Sequence, residues 1–211
     1  MISIVQRKLM PIAESLHLRF FGYEMSDVMR SFIGHLSWSF FGGIFAGGLF
    51  FMANVLAGRW LGPVGYGKFS FIFSLSFFIS LPMILGVDAA IIRHANGGKK
   101  QIGKSISNGV LLVAVFILIS SLALFFYPFV SKKTGINVNF LYIAFIVAFL
   151  FALRSVTDAI VRRMYLFKEQ SLARTIESSV VIIFFGVSYH FGNNYFYYVL
   201  SIGIGLSLIH I

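Results

Sequence analysis

Six stretches of this chain are almost purely apolar: 36–58, 69–92, 106–130, 139–158, 175–191 and 195–211. A helix needs about 20 apolar residues to cross the hydrocarbon of a bilayer. The runs therefore read as membrane-crossing helices, the last two being the shortest, and the chain as an all-α integral membrane bundle of about six transmembrane helices. Composition agrees: 58% of residues are hydrophobic and 11% charged, where a soluble domain carries about 25% charged residues. The 26 Phe and 20 Gly fit the same class, since glycine is more frequent in membrane helices than in soluble ones.

Between the first four runs lie GRWLGPVGYGK, RHANGGKKQIGK and SKKTGINVN, whose Gly, Pro and Asn end helices and build turns. Residues 1–35 are mixed and polar, lack the apolar core and cleavage site of a signal peptide, and read as a cytoplasmic amino-terminal tail, in part an interfacial helix. Residues 36–211 form the six-span bundle. Alternating the spans puts thirteen Lys and Arg on one side, in the tail, at 93–104 and at 154–174, against Arg59, Lys68, Lys132 and Lys133 on the other. The positive-inside rule then places the amino terminus of this multi-pass chain in the cytoplasm.

The net charge of +10 follows the same loops rather than one soluble face, so it argues topology and contact with membrane lipid, not nucleic acid. Cysteine is absent, which removes disulfides, thiolate metal sites and cysteine nucleophiles. His17, His35, His94, His190 and His210 are scattered without ligand spacing, and no metal site or cofactor is expected.

One motif points elsewhere. Residues 98–105, GKKQIGKS, match the phosphate-binding loop G-x-x-x-x-G-K-[ST] letter for letter. Such a loop sits between a buried strand and an amphipathic helix of a soluble α/β domain. Here VLLVAVFILISSLALFFYPF follows, with fourteen Leu, Ile, Val or Phe and no charge. That segment enters the bilayer, and 98–105 reads as a lysine-rich cytoplasmic turn.

Residues 53–93, ANVLAGRWLGPVGYGKFSFIFSLSFFISLPMILGVDAAIIR, carry a more specific signal. An apolar helix ends near Gly58, Leu61-Gly62-Pro63 turns, Gly65-Tyr66-Gly67 closes the turn, and the next helix begins at Phe69. This resembles the start of the polysaccharide and O-antigen flippases, where a first span runs into LGPxxYGxFS and the second ends in a glycine-hydrophobic-polar stretch before an arginine. Here that ending is Leu85-Gly86-Val87-Asp88-Ala89-Ala90-Ile91-Ile92-Arg93. RSVTDAIVRRMYLFKEQSLARTIES is similar to the family's link between the fourth and fifth spans, so the resemblance covers roughly 36–191.

The resemblance implies transport without chemistry on the substrate: flipping an undecaprenyl-diphosphate-linked oligosaccharide from the cytoplasmic to the outer leaflet. It also implies the multidrug/oligosaccharidyl-lipid/polysaccharide superfamily, in which two six-helix lobes face each other. This chain supplies one lobe and carries a longer tail. It is expected to be the amino-terminal half, a truncated frame, or a subunit that pairs with a second copy.

A diphosphate lipid crossing hydrocarbon needs its charge compensated, and ionisable residues at membrane depth are functional candidates. Arg154 and Asp158 are four apart on one helix face and Arg162 continues the stripe. They form either a cavity-facing ion pair that binds substrate, or a helix end whose arginines snorkel to the interface. Asp88, near a kink that Pro82 and Gly86 permit, is a candidate for coupling a proton or cation, or else an interfacial carboxylate near Arg93. Arg59 is a candidate to receive the diphosphate after flipping, or an interface anchor.

Asn54 is expected to hydrogen-bond between helices, and Gly43 and Gly47 to form a close-packing GxxxG face. Tyr195, Tyr197 and Tyr198 are expected at the lipid or the interface. No paired acids or nucleophile–base set stands out for a catalytic site. A drug/cation antiporter of the same superfamily and an integral-membrane polysaccharide polymerase are the alternatives.

Overall fold

The computed structural model of the chain describes residues 2–94, 99–130 and 138–208. All regular structure among them is helical: α1 (Ile2–Phe21), α2 (Asp27–Ile84), α3 (Val87–His94), α4 (Lys99–Val130), α5 (Val138–Arg163), α6 (Phe167–His190) and α7 (Tyr195–Leu208). Four of them, α2, α4, α5 and α6, contain stretches long and apolar enough to cross a membrane, and α7 is a shorter apolar helix.

The 58-residue α2 is two helices in one. Gly62 alone leaves the helical region, at φ 65° and ψ 178°, a conformation that glycine reaches without a Cβ penalty. Pro63 then restarts the helix, because a first-turn position needs no N–H and suits its fixed φ. The arms fold back antiparallel, so that Phe50 and Phe73, on either side of the bend, bring their rings to 5.9 Å. The turn expected over 58–68 is thus compressed to one residue. The turn expected at 131–137 lies outside the described residues.

The two tryptophans of the chain sit on the first arm, 22 residues apart. At 1.5 Å per residue that is about 33 Å, close to the ~30 Å hydrocarbon thickness, and tryptophan favours both interfaces. Contacts sort the other helix ends into the same two levels. Lys168 stands over the Trp38 ring at 5.8 Å, and His35 meets Phe167 at 5.1 Å. At the other level Trp60 stacks on Tyr189 at 5.0 Å, while Tyr195 lies 5.9 Å from Phe140 and under Lys68.

α5 is the centre of the bundle. Ala144, Ala148, Ala152 and Ala159 are fully buried, and they divide between two clusters. One joins α5 to both arms of α2, to α6 and to α7, through Ala53, Ala57, Phe69, Ile72, Phe185 and Tyr198. The other joins it to α3, α4 and the end of α2, through Met83, Val87, Ile91 and Val113. Small side chains let helices approach closely where lipid gives no hydrophobic drive to association. The bulky apolar residues Phe51, Phe78, Leu111, Ile146 and Ile183 point outward instead.

α2 and α6 make the closest approach, at Gly42. A Cβ there would lie 2.4 Å from Ser171 Cβ, and Ser171 Oγ donates to the Trp38 carbonyl at 2.8 Å. The small face of α2 is therefore Gly42, Ala46, Ala53 and Ala57, all buried. Gly43 and Gly47, expected to pack, meet nothing within 4 Å. They lie on the adjoining face, turned toward open space.

α2 ends at Leu85 and Gly86, consecutive residues at φ 39° and 73°, which separate it from α3. α1 takes up residues 2–21 of the expected tail, α2 its last nine, and Glu14 and Arg30 tie the two at 2.9 Å.

Candidate functional site

The charged residues of the membrane interior gather where α5 meets α6. Asp158 is 8% exposed and accepts from Gln170 Nε2 at 2.8 Å and Arg174 Nη2 at 2.9 Å. Arg154 and Arg162 stand one turn away on either side, each 3.9 Å from the same carboxylate. The expected Arg154–Asp158 pair is present, but as the longer contact. The closer partner of Arg154 is Glu177, whose Oε1 accepts from Nη1 across the interface.

Glu177 was missed in the sequence because its partner is 23 residues away. A signal was available nonetheless. Gln170, Arg174 and Glu177 recur at i, i+4 and i+7, one face of a helix, whereas the apolar runs predict a charged link there before a span starting at 175. α6 begins instead at Phe167. Its charged face turns inward onto the matching stripe of α5.

Counting along the helices from Tyr165 and Phe167, which lie beside His35 near the Trp38 end, Arg154 and Glu177 each stand about 15 Å along the bundle from that end. A snorkelling arginine extends toward its interface. Arg154 reaches across to a carboxylate at its own depth.

Beside this pair is an open cavity of about 440 Å³, lined on its polar side by Arg154, Arg174 and Glu177. Gly43, Gly47, Phe50, Phe73 and Phe77 of α2 and Ile202 and Leu206 of α7 line the rest. Asp158 does not line it; it stands behind, holding Arg174 and Gln170. The Nε of Arg174 is buried and has no hydrogen-bond partner among the described residues.

The other singled-out residues lie elsewhere. Arg59 is exposed next to Trp60, at the opposite end of the first arm from Trp38, and does not line the cavity. Asp88 is half-buried in the first turn of α3 and does not line the cavity. The side chain of Arg93, its expected neighbour, lies outside the described residues. Asn54 does not bridge helices: its Nδ2 donates to Phe50 O one turn back, at 2.9 Å. Tyr198, expected at the lipid, is fully buried and donates to Asn193 Oδ1 at 3.0 Å.

Of the phosphate-loop match, Gly98 lies outside the described residues and Lys99–Ser105 open α4. Gly103, Lys104 and Ser105 are past the first four residues, where backbone N–H groups are committed to helical bonds and cannot cradle a phosphate. No group of three metal-ligating side chains occurs among the described residues.

A profile of the family described as polysaccharide biosynthesis protein matches residues 35–211. The chain belongs to that family. It is the grouping to which LGPVGYGKFS and the α5–α6 segment pointed. Family and helices together make the chain a multi-pass membrane protein with a role in polysaccharide biosynthesis and export. No curated protein and no solved structure matches it. The matched span of this polysaccharide biosynthesis protein contains all of α5 and α6, so the charged interface and its cavity are features of the family region and not of the added tail.

Proposed function

We propose that this chain is a flippase lobe that moves an undecaprenyl-diphosphate-linked oligosaccharide across the inner membrane by alternating access, performing no chemistry on it. One observation carries the reading. Two arginines, Arg154 and Arg174, line an open cavity within a bundle of membrane-spanning helices, where an ionisable group is expensive and marks a substrate or ion path. Guanidinium presents a planar fork of donors that matches phosphate oxygens, so a diphosphate is the charge this cavity suits.

In this proposal the Trp38 level is cytoplasmic and residues 1–35 form the cytoplasmic tail. The basic residues of α1 and of the α5–α6 link meet anionic lipid there. Residues 36–211 are one six-span lobe. The glycine side of the cavity, at Gly43 and Gly47, faces a second lobe or a second copy, around which the lobe rocks. Arg59 takes the diphosphate where it emerges.

The test is export in a functional, full-length context. Arg154→Gln and Arg174→Gln are each expected to reduce export about 10-fold or more, the cost of losing one charge-assisted contact. The double exchange Arg154→Glu with Glu177→Arg should recover part of it. Wild-type export in both single variants would remove the cavity from the transport path.

A further inference from the structure

Two carboxylates face the arginines of the α5–α6 interface, and they are held in opposite ways. Asp158 has four donors around it, from Gln170, Arg174, Arg154 and Arg162, and lies behind the cavity wall. Every donor that leaves it is backed by another. Glu177 is just as buried, at 8% exposed, yet it lines the cavity and has a single ion-pair partner among the described residues, Arg154.

The rest of the cavity wall around Glu177 is mostly apolar, with Ser178 and Arg174 as its other polar members. α7 presents Ile202 and Leu206, and the Cβ that Gly205 lacks would lie 3.5 Å from Glu177 Cγ. α2 presents Gly43, Ala46, Phe50, Phe73 and Phe77. The other charges facing it are Asp158 and Arg174 on α5 and α6. Arg174 has its Nη2 on Asp158 and its Nε without a partner among the described residues.

A carboxylate offers a guanidinium the same pair of acceptor oxygens as one edge of a phosphate. From this placement we infer that Glu177 is an internal stand-in for the anionic ligand. It occupies the Arg154 guanidinium while the cavity is empty, and a phosphate-bearing ligand displaces it. The displaced carboxylate has a donor within the same cluster, the unpaired Nε of Arg174. The inference rests on the cavity being the diphosphate site proposed above. It adds that occupancy is contested from within, so Glu177 sets how tightly, and how reversibly, the ligand is held.

Competition has a signature that a structural role lacks. If Glu177 holds Arg154 in about nine molecules of ten, removing it exposes the site in all of them and tightens apparent affinity about 10-fold. The experiment titrates inorganic pyrophosphate into the full chain in lipid nanodiscs by calorimetry at fixed salt, with size-exclusion profiles to verify folding. Glu177→Gln is expected to bind about 10-fold tighter than wild type. Glu177→Ala is the second variant should the amide fail to fold. The double variant Arg154→Gln/Glu177→Gln should lose that gain.

Weakened binding in Arg154→Gln and Arg174→Gln, with Glu177→Gln no tighter than wild type, overturns the stand-in while leaving the cavity as the anion site. Unchanged pyrophosphate binding in both arginine variants overturns the site and the stand-in together.

Discussion

α6 makes polar contacts with its neighbours along its length, and two sets of them, the one around Arg174 and Glu177 and the one at the Trp60 end, are built from different chemistry. At the Trp60 end one neutral amide suffices. Asn193, at φ 47° just past α6, donates through Nδ2 to the Trp60 carbonyl and accepts from Tyr198 through Oδ1. In the other set, the same helix uses Arg174 and Glu177 against Arg154 and Asp158. Burying an ion costs several kcal/mol even after relaxation, while a neutral hydrogen bond contributes about 1 kcal/mol. Stability alone would favour the amide in both sets. On the function proposed above, these charges serve the open cavity beside them.

The largest effect expected from this contrast is at Asp158. Asp158→Ala strips the acceptor from Gln170 and Arg174 at once, leaving charge buried and unpaired, and should cost about 3–5 kcal/mol. Denaturant unfolding in detergent measures it. A loss no greater than that of Asn193→Ala would erase the distinction between the two sets.

Gly42→Val comes next, because its side chain must displace Ser171, whose Cβ and Oγ lie 2.4 and 2.5 Å from the first added carbon. Overpacking of that kind costs about 1–3 kcal/mol. It should also loosen α2 from α6 near Trp38, which tryptophan fluorescence reports. An unshifted spectrum with full stability would mean that the contact at Gly42 is not made.

Asn193→Ala should cost about 1–2 kcal/mol, from two hydrogen bonds and a left-handed φ that alanine tolerates less well. Its effect should be confined to the Trp60 end, so export in a functional context stays within about 2-fold of wild type, an allowance for that loss in folded protein. A loss of export matching that of Arg154→Gln would make the amide end part of the transport path and collapse the comparison from the other side.

The helical class was legible because apolar runs of membrane length leave little else, and the family was legible because LGPVGYG names one bend. What the bend does was less so. Reading Gly58 to Lys68 as a turn follows from its Gly and Pro content, yet Pro63 is at home in a first turn and only Gly62 needs a non-helical φ. The site was half legible: Arg154 and Asp158 share a face at i, i+4, while Glu177 pairs through space and across a turn. GGIFAGG likewise allows two small-xxx-small frames, Gly42–Ala46 and Gly43–Gly47. Periodicity cannot choose between frames one residue apart; the position of Ser171 on α6 does.

The smallest effect expected is at that rejected frame, and it tests whether the cavity is open. A Cβ at Gly47 would meet nothing within 4 Å, one turn along the same cavity wall as Gly43. Gly47→Ala therefore meets no neighbour, and replacing a helical glycine relieves backbone entropy worth about 0.5–1 kcal/mol. The chain should come out as stable as wild type or slightly more so, while Gly42→Ala, five residues earlier on the packed face, is destabilised. If Gly47→Ala loses as much as Gly42→Ala, another helix already covers that wall. The Arg154 and Glu177 charges would then face protein instead of open space, and a neutral amide would have served there as it does at Asn193.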